Sequence, residues 1–113
     1  MSLSASACHL QITPTEPVGC YLAGFGADRR ATGVLDPIEA GLLYVTDGHE
    51  EVALISVDAI GFSSTDVARV RAHVPKMGPH DIIISATHTH SAPDTLGLWG
   101  PTWLGLIPRR SGV

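Results

Sequence analysis

The chain has 113 residues, of which 44% are hydrophobic and 16% are charged, and its formal net charge is −4. This composition can supply the core of one domain or of part of one, and it excludes a chain that is disordered by composition. Because the net charge is negative and the sequence has no basic patch, nothing in it indicates binding to nucleic acid.

The N-terminal segment and the cysteines give no targeting or redox signal. Residues 1–9 lack a basic start and a long apolar stretch, so we expect no signal peptide and a cytosolic location by default. No segment approaches the roughly 20 apolar residues of a membrane span, so we expect no transmembrane segment. The spacing of Cys8 and Cys20 is not that of a zinc site or a redox motif. We expect both to be buried thiols. A disulfide between them could form only in an oxidising compartment.

A short strand and a long irregular loop open the predicted fold. Residues 8–13 alternate in polarity and predict a strand that Pro14 and Pro17 end. Glycine and proline punctuate residues 18–37, which predicts irregular structure. A loop of this length in a compact domain is usually either functional or wrongly assigned.

The next two segments predict an antiparallel hairpin. Residues 39–46 alternate as a strand does, and Asp47-Gly48 is a hairpin-turn signal. Residues 51–57 are nearly continuous in apolar character, which predicts a partner strand buried on both faces of the sheet.

A helix and a further strand then predict a β-α-β unit. Ser63 precedes Asp66 by three residues, as in a capping box, and begins a helix predicted over 64–74. Residues 81–86 return as a strand parallel to the previous one, because such crossovers join parallel strands. The predicted apolar stripe of the helix consists of Val67, Val70 and Val74. We therefore predict an α/β fold: a mixed sheet with an N-terminal antiparallel hairpin followed by a β-α-β unit, as an incomplete fragment of a larger α/β domain with no later element to cover the sheet.

Two histidines follow the last predicted strand. Residues 87–94 read Thr-His-Thr-His-Ser-Ala-Pro-Asp, and in an extended segment residues i and i+2 share a face, so His88 and His90 can share one cation or one substrate. Asp58 ends the neighbouring parallel strand, where ligands of open α/β sheets gather. This arrangement predicts a metal-dependent hydrolase. The alternatives are two histidines satisfied by hydrogen bonds at a strand end, and an Asp58 that caps a turn with Gly61.

Other candidate residues are less informative. Trp99 and Trp103 could line an apolar substrate site or belong to a core. Arg29 and Arg30 are expected to be solvated, with a contact to a substrate anion as the alternative.

The run 84–94 resembles the N-terminal catalytic domain of neutral/alkaline (non-lysosomal) ceramidases and their bacterial relatives. The order of the preceding motifs is similar as well, and the resemblance covers about residues 11–101. Ala92 stands where the family usually has Gly, and Gly41 stands where it often has Arg. The similar motifs are Ile12-Thr13-Pro14, Ala23-Gly24-Phe25-Gly26, 33–37 with Asp47-Gly48, and Leu54-Ile55-Ser56-Val57-Asp58.

The resemblance implies a zinc-dependent amide hydrolase of sphingolipid or related lipid metabolism. It makes His88 a zinc ligand and His90 a catalytic residue that positions or polarises the substrate beside the metal, with Asp58 as a supporting group behind them. The family's other ligands and its catalytic serine have no counterpart in this chain, so we expect weak or absent zinc binding and no turnover. The expected partners are a lipid-like or other amide substrate and the missing C-terminal portion of the same domain. Relatives are often secreted, which leaves the location open.

Three alternatives compete with this interpretation. Metallo-β-lactamase-like enzymes use His-x-His-x-Asp-His, whereas Asp94 lies four residues after His90 and no histidine follows. Barrel amidohydrolases carry His-x-His after their first strand, whereas about three strands precede it here. The third alternative is a non-catalytic truncated gene product or a small metal-binding module without turnover.

Overall fold

A computed structural model of the chain describes residues 2–100, together with the backbone of residues 102–103 and 107–108. It contains a four-stranded mixed sheet, one helix and a separate two-stranded sheet. Among the described residues, no helix combines the length and the apolar character that a membrane crossing requires. The elements in chain order are β1 (Ser4–Gln11), β2 (Glu39–Thr46), β3 (Glu51–Val57), α1 (Ser64–Ala72), β4 (Ile82–Ala86), β5 (Thr102–Trp103) and β6 (Ile107–Pro108).

The order of strands in the main sheet is β1-β2-β3-β4. The pairs β1–β2 and β2–β3 are antiparallel, and β3–β4 is parallel across the α1 crossover. The predicted mixed α/β sheet, with a hairpin followed by a β-α-β unit, is therefore confirmed. The sequence analysis missed the small antiparallel pair β5–β6, and the side chain of Trp103 lies outside the described residues.

The hairpin and the helix start follow local sequence signals. In the turn between β2 and β3, the Asp47 carboxylate accepts hydrogen bonds from the backbone N–H groups of His49 (2.9 Å) and Glu50 (2.8 Å). The predicted capping box is present: the Ser63 hydroxyl accepts from the Asp66 N–H at 3.1 Å, and the Asp66 carboxylate accepts from the Ser63 N–H at 3.2 Å. The helix ends at Ala72, two residues earlier than predicted.

The first strand differs from its prediction at both ends. It begins at Ser4, although Ser-Ala-Ser-Ala has little strand propensity, because these residues pair with the far half of β2, where Ser4 faces Thr46. Every residue of this edge strand is exposed, so the expectation of buried thiols is wrong for Cys8; Cys20 is half-buried, and both are free thiols.

The prediction that β3 is buried on both faces is wrong. One face of the sheet carries buried residues such as Ala53 and Ile82, which are 5% and 1% exposed. On the other face Leu43, Leu54 and Ile83 are 39%, 40% and 50% exposed, because no described element covers them. The helix has no buried residue either, and two valines of its predicted apolar stripe, Val70 and Val74, remain exposed.

Candidate functional site

The candidate site begins where the pairing of β3 and β4 continues beyond both strands. The Thr87 N–H donates to the Val57 carbonyl and the His88 N–H donates to the Ala59 carbonyl, both at 2.9 Å. His88 then adopts a left-handed backbone conformation with φ of 63°. The segment is therefore not extended at His88, which corrects the basis on which the two histidines were expected to share a face.

The imidazole of His88 is held by a backbone carbonyl from the neighbouring strand end. Its Nδ1 lies 2.9 Å from the carbonyl oxygen of Ile60. Because a carbonyl oxygen only accepts, Nδ1 must donate, and in the neutral ring Nε2 then keeps its lone pair. Metal-binding histidines are oriented by such a bond from the other ring nitrogen. The structure thus gives His88 the tautomer that a zinc ligand needs.

The two histidine rings are neighbours in spite of the turn at His88. Their centroids lie 5.3 Å apart with the ring planes at 66°. The His90 ring also contacts the ring of Phe25 in a T-shaped arrangement, with centroids 4.8 Å apart. His88 is exposed and His90 is half-buried. The two rings are therefore neighbours at the surface, which is the arrangement that the hypothesis of a shared ion or substrate requires.

His90 packs directly on the backbone of Gly24. A Cβ at position 24 would overlap His90 Nδ1 and would lie 2.7 Å from its Cγ, and Gly24 has φ of 75°. Glycine is thus required at this position for both steric and conformational reasons. The Nδ1 atom of His90 is buried and has no hydrogen-bond partner among the described residues. Nε2 is therefore the ring nitrogen left to act on a ligand.

Asp58 lies beside the histidine segment without a described hydrogen bond to either imidazole. Its carboxylate accepts from the Glu39 N–H at 2.9 Å and from the Thr87 hydroxyl at 3.1 Å. The carbonyl of Gly61 instead accepts from the Thr95 hydroxyl at 2.6 Å. Asp58 thus joins the start of β2 to the residue before His88, and the structure shows no cap with Gly61.

The long loop 18–37 packs against the histidine segment. The Ala23 N–H donates to the Ala92 carbonyl at 3.2 Å, and the Asp94 N–H donates to the Tyr21 carbonyl at 2.8 Å. Arg29 was expected to be solvated, but it is half-buried and donates to two backbone carbonyls, those of Ala23 and His90. No local sequence signal identifies this arginine, because its partners are set by the fold.

Asp94 is a buried carboxylate that the sequence analysis did not assign to a structural role. It is 6% exposed and accepts hydrogen bonds from the N–H groups of Leu96 (3.1 Å), Gly97 (2.8 Å) and Trp99 (2.7 Å). These donors satisfy the charge, so Asp94 orders the loop after the histidines rather than serving as a ligand. Trp99 is half-buried.

The metal-binding capacity of the described residues is partial. Within residues 2–100, no group of three or more His, Cys, Asp or Glu side chains could hold a metal ion. A catalytic zinc site uses about three protein ligands and an open water position. The oriented His88 and its neighbour His90 fit one side of such a site, and the remaining ligands would have to come from elsewhere.

A cavity lies beside this segment, and neither histidine lines it. It has a volume of about 590 Å³ and is lined by the loop 18–37, Asp58, Thr89 and Ser91, among others. Thr89 and Ser91 of the segment line it, whereas His88 and His90 do not.

Two solved structures share this fold. A neutral ceramidase from Pseudomonas aeruginosa superposes with a TM-score of 0.69 at 19% sequence identity, and the similarity covers 85% of this chain and 16% of that one. A ceramidase complexed with C2 gives a TM-score of 0.65 with the same identity and the same coverage of both chains. No protein-family model and no curated protein matches the sequence. The chain thus has the fold of a part of neutral ceramidase, which confirms the resemblance at the level of the fold.

Proposed function

We propose that the chain is part of a zinc-dependent amide hydrolase related to neutral ceramidases. The observation that carries the proposal is the bond from His88 Nδ1 to the Ile60 carbonyl, which leaves Nε2 free as a metal ligand. His90 would lie beside the metal and orient the substrate, and Asp58 would hold the segment through Thr87. The fold shared with neutral ceramidase supports this assignment.

The chemistry divides between this chain and segments outside the described residues. When bound, zinc lowers the pKa of a coordinated water towards neutrality and polarises a carbonyl. His88 would hold the ion through Nε2, and His90 would contact the substrate carbonyl through its own Nε2. Further ligands would come from the C-terminal portion of a larger domain of which residues 1–113 form the N-terminal portion. The same portion would cover Leu43, Leu54 and Ile83 on the sheet.

A lipid-like amide, of which ceramide is the model, is the proposed substrate class. The edge of the site carries Phe25, which is 82% exposed next to His90. An exposed aromatic side chain beside the two imidazoles favours a substrate with apolar chains flanking a polar amide.

The proposal is tested by zinc stoichiometry and by turnover of an N-acyl sphingosine analogue. Both are measured for the 113-residue chain and for a form extended to the next stop codon. We expect zinc and turnover in the extended form and neither in the 113-residue chain. Absence of zinc from both forms would overturn the proposal, and His88 and His90 would then be histidines satisfied at a strand end.

A small metal-binding module without turnover is the second candidate function. The neighbouring rings of His88 and His90 favour this candidate, whereas the lack of a three-ligand group among the described residues counts against tight binding by the chain taken alone. Tight zinc in the 113-residue chain, with no hydrolysis by the extended form, would support this alternative over the hydrolase.

A further inference from the structure

Arg29 connects two segments that are far apart in the sequence. Its Nη2 donates to the Ala23 carbonyl at 2.7 Å and to the carbonyl of His90, which is 61 positions away. The arginine's own carbonyl accepts from the Leu22 N–H at 2.8 Å, which fixes the loop from which the side chain extends. We call the two bonds from Nη2 the Arg29 bridge.

The Arg29 bridge ends at Ala23, directly before the part of the loop that contacts the His90 ring. Gly24 and Phe25 follow Ala23, and both lie against that ring. The guanidinium carbon also lies 5.4 Å from the centroid of Phe25. A rotation of the His90 ring would require the backbone at Gly24 to move, and the bridge ties that backbone to the carbonyl of His90 itself.

We infer that Arg29 is a positioning residue that fixes the orientation of the His90 imidazole. The inference rests on the proposed function in one respect: a group that contacts the substrate has to be held in a fixed orientation. The bridge keeps Nδ1 buried against Gly24 and leaves Nε2 as the reactive nitrogen. A lysine at this position would hold the two carbonyls less firmly, because its ammonium sits on a flexible stem and lacks the pre-organised plane of the guanidinium.

The neighbouring Arg30 provides a matched control. It is exposed, and its guanidinium lies 4.5 Å from the ring centroid of Tyr21 and donates to the Tyr21 hydroxyl. It has no described bond to the histidine segment. Replacing Arg30 therefore removes the same charge from the same loop while leaving the bridge intact.

The test follows the imidazole of His90 by NMR in the full chain without zinc. Carbon-bound ring protons are recorded for the wild type and for Arg29→Ala, Arg29→Lys and Arg30→Ala, and the His90 signals are assigned by their loss in His90→Gln. The ring of Phe25 shifts nearby protons according to geometry, so a reoriented His90 has different resonances. We expect the His90 resonances to shift or to split into several lines in both Arg29 variants. We expect them to keep their positions in Arg30→Ala.

Unchanged His90 resonances in a folded Arg29→Ala or Arg29→Lys would overturn the inference, and so would an equal change in Arg30→Ala. If Arg29→Ala does not fold, Arg29→Lys decides alone, because it keeps the charge and the aliphatic stem. The signals of His9 and His49, which lie away from the site, serve as internal references. Since the spectra need no metal, the expected shifts in the 113-residue chain together with no zinc in the extended form would support the Arg29 bridge while contradicting the proposed function.

Discussion

The Nδ1 atom of His88 donates a 2.9 Å hydrogen bond to the carbonyl of Ile60, just beyond the carboxyl ends of two parallel strands. Ile60 is buried and His88 is exposed, so the bond anchors a surface imidazole to the core. This relationship fixes both the tautomer and the direction of the ring without a carboxylate partner. The site therefore depends on the loop that follows β3 as much as on the histidine motif itself.

Replacing His88 tests its role as a ligand. In the extended form of the chain, we expect His88→Ala to abolish zinc binding and amide hydrolysis, because it removes the imidazole whose Nε2 is assigned to the ion. Zinc content by elemental analysis and turnover of the N-acyl sphingosine analogue measure the effect. His49→Ala, in the exposed turn between β2 and β3, is the control and should retain both. Near-normal zinc in His88→Ala would refute the ligand assignment.

Replacing Gly24 tests the close packing of His90 on the loop. Gly24→Ala should lower the free energy of unfolding by about 1–2 kcal/mol for the left-handed backbone and by about 1–3 kcal/mol more for the overlap with the His90 ring. Gly19→Ala is a close control, because Gly19 has a similar φ of 88° and nothing within 4 Å of its added Cβ. Urea denaturation of both variants isolates the steric term. Equal losses would mean that His90 does not rest on Gly24 in solution.

Replacing Asp58 tests whether its carboxylate holds the segment before His88. Asp58→Ala leaves the Glu39 N–H and the Thr87 hydroxyl without their acceptor, and we expect a loss of about 1–2 kcal/mol in the free energy of unfolding. Asp36→Ala, which removes an exposed carboxylate from the neighbouring loop, should have little effect. In the extended form, Asp58→Ala should also weaken zinc binding by about 10–100-fold if it supports His88 through Thr87. Zinc affinity equal to that of Asp36→Ala would leave Asp58 with a purely structural role.

The parts of the fold that the sequence predicts well depend on short-range interactions. The Asp47-Gly48 turn and the capping box of Ser63 and Asp66 each form within four residues, and both are present. The strand bounds 39–46 and 51–57 are also confirmed, since alternation and apolar character act along one segment.

The features that the sequence does not predict depend on distant contacts. The role of Arg29 requires a partner 61 positions away, and the need for glycine at position 24 appears only when His90 is packed on it. Leu54 was predicted to be buried, but its side chain is 40% exposed. The apolar character of a strand shows that it can be buried, but it does not show whether another layer packs on it. The two histidines were predicted to be neighbours because an extended segment was expected. The backbone at His88 is instead left-handed, so the extended geometry on which that prediction was based is absent.

Acid stability provides a further prediction from Asp66 and Asp47. Hydrogen bonds from Ser63 hold the pKa of Asp66 below its usual value of 3.8, and the N–H groups of Glu50 and His49 do the same for the pKa of Asp47. A carboxyl with a lower pKa in the folded state contributes stability above its unfolded pKa, because the unfolded state takes up the proton first as pH falls. That contribution is therefore lost as pH falls from about 4 through the folded-state pKa values.

Urea denaturation between about pH 3 and 6 measures this loss. We expect the double variant Asp47→Asn with Asp66→Asn to have a flatter acid dependence of the free energy of unfolding than the wild type. Asp36→Asn, at an exposed position, removes one carboxylate outside both turns and should keep the wild-type slope. Because both turns lie outside the histidine segment, the double variant should leave the His90 ring resonances in place. An unchanged slope would mean that the two local hydrogen-bonded turns persist in the unfolded chain and contribute nothing to folding.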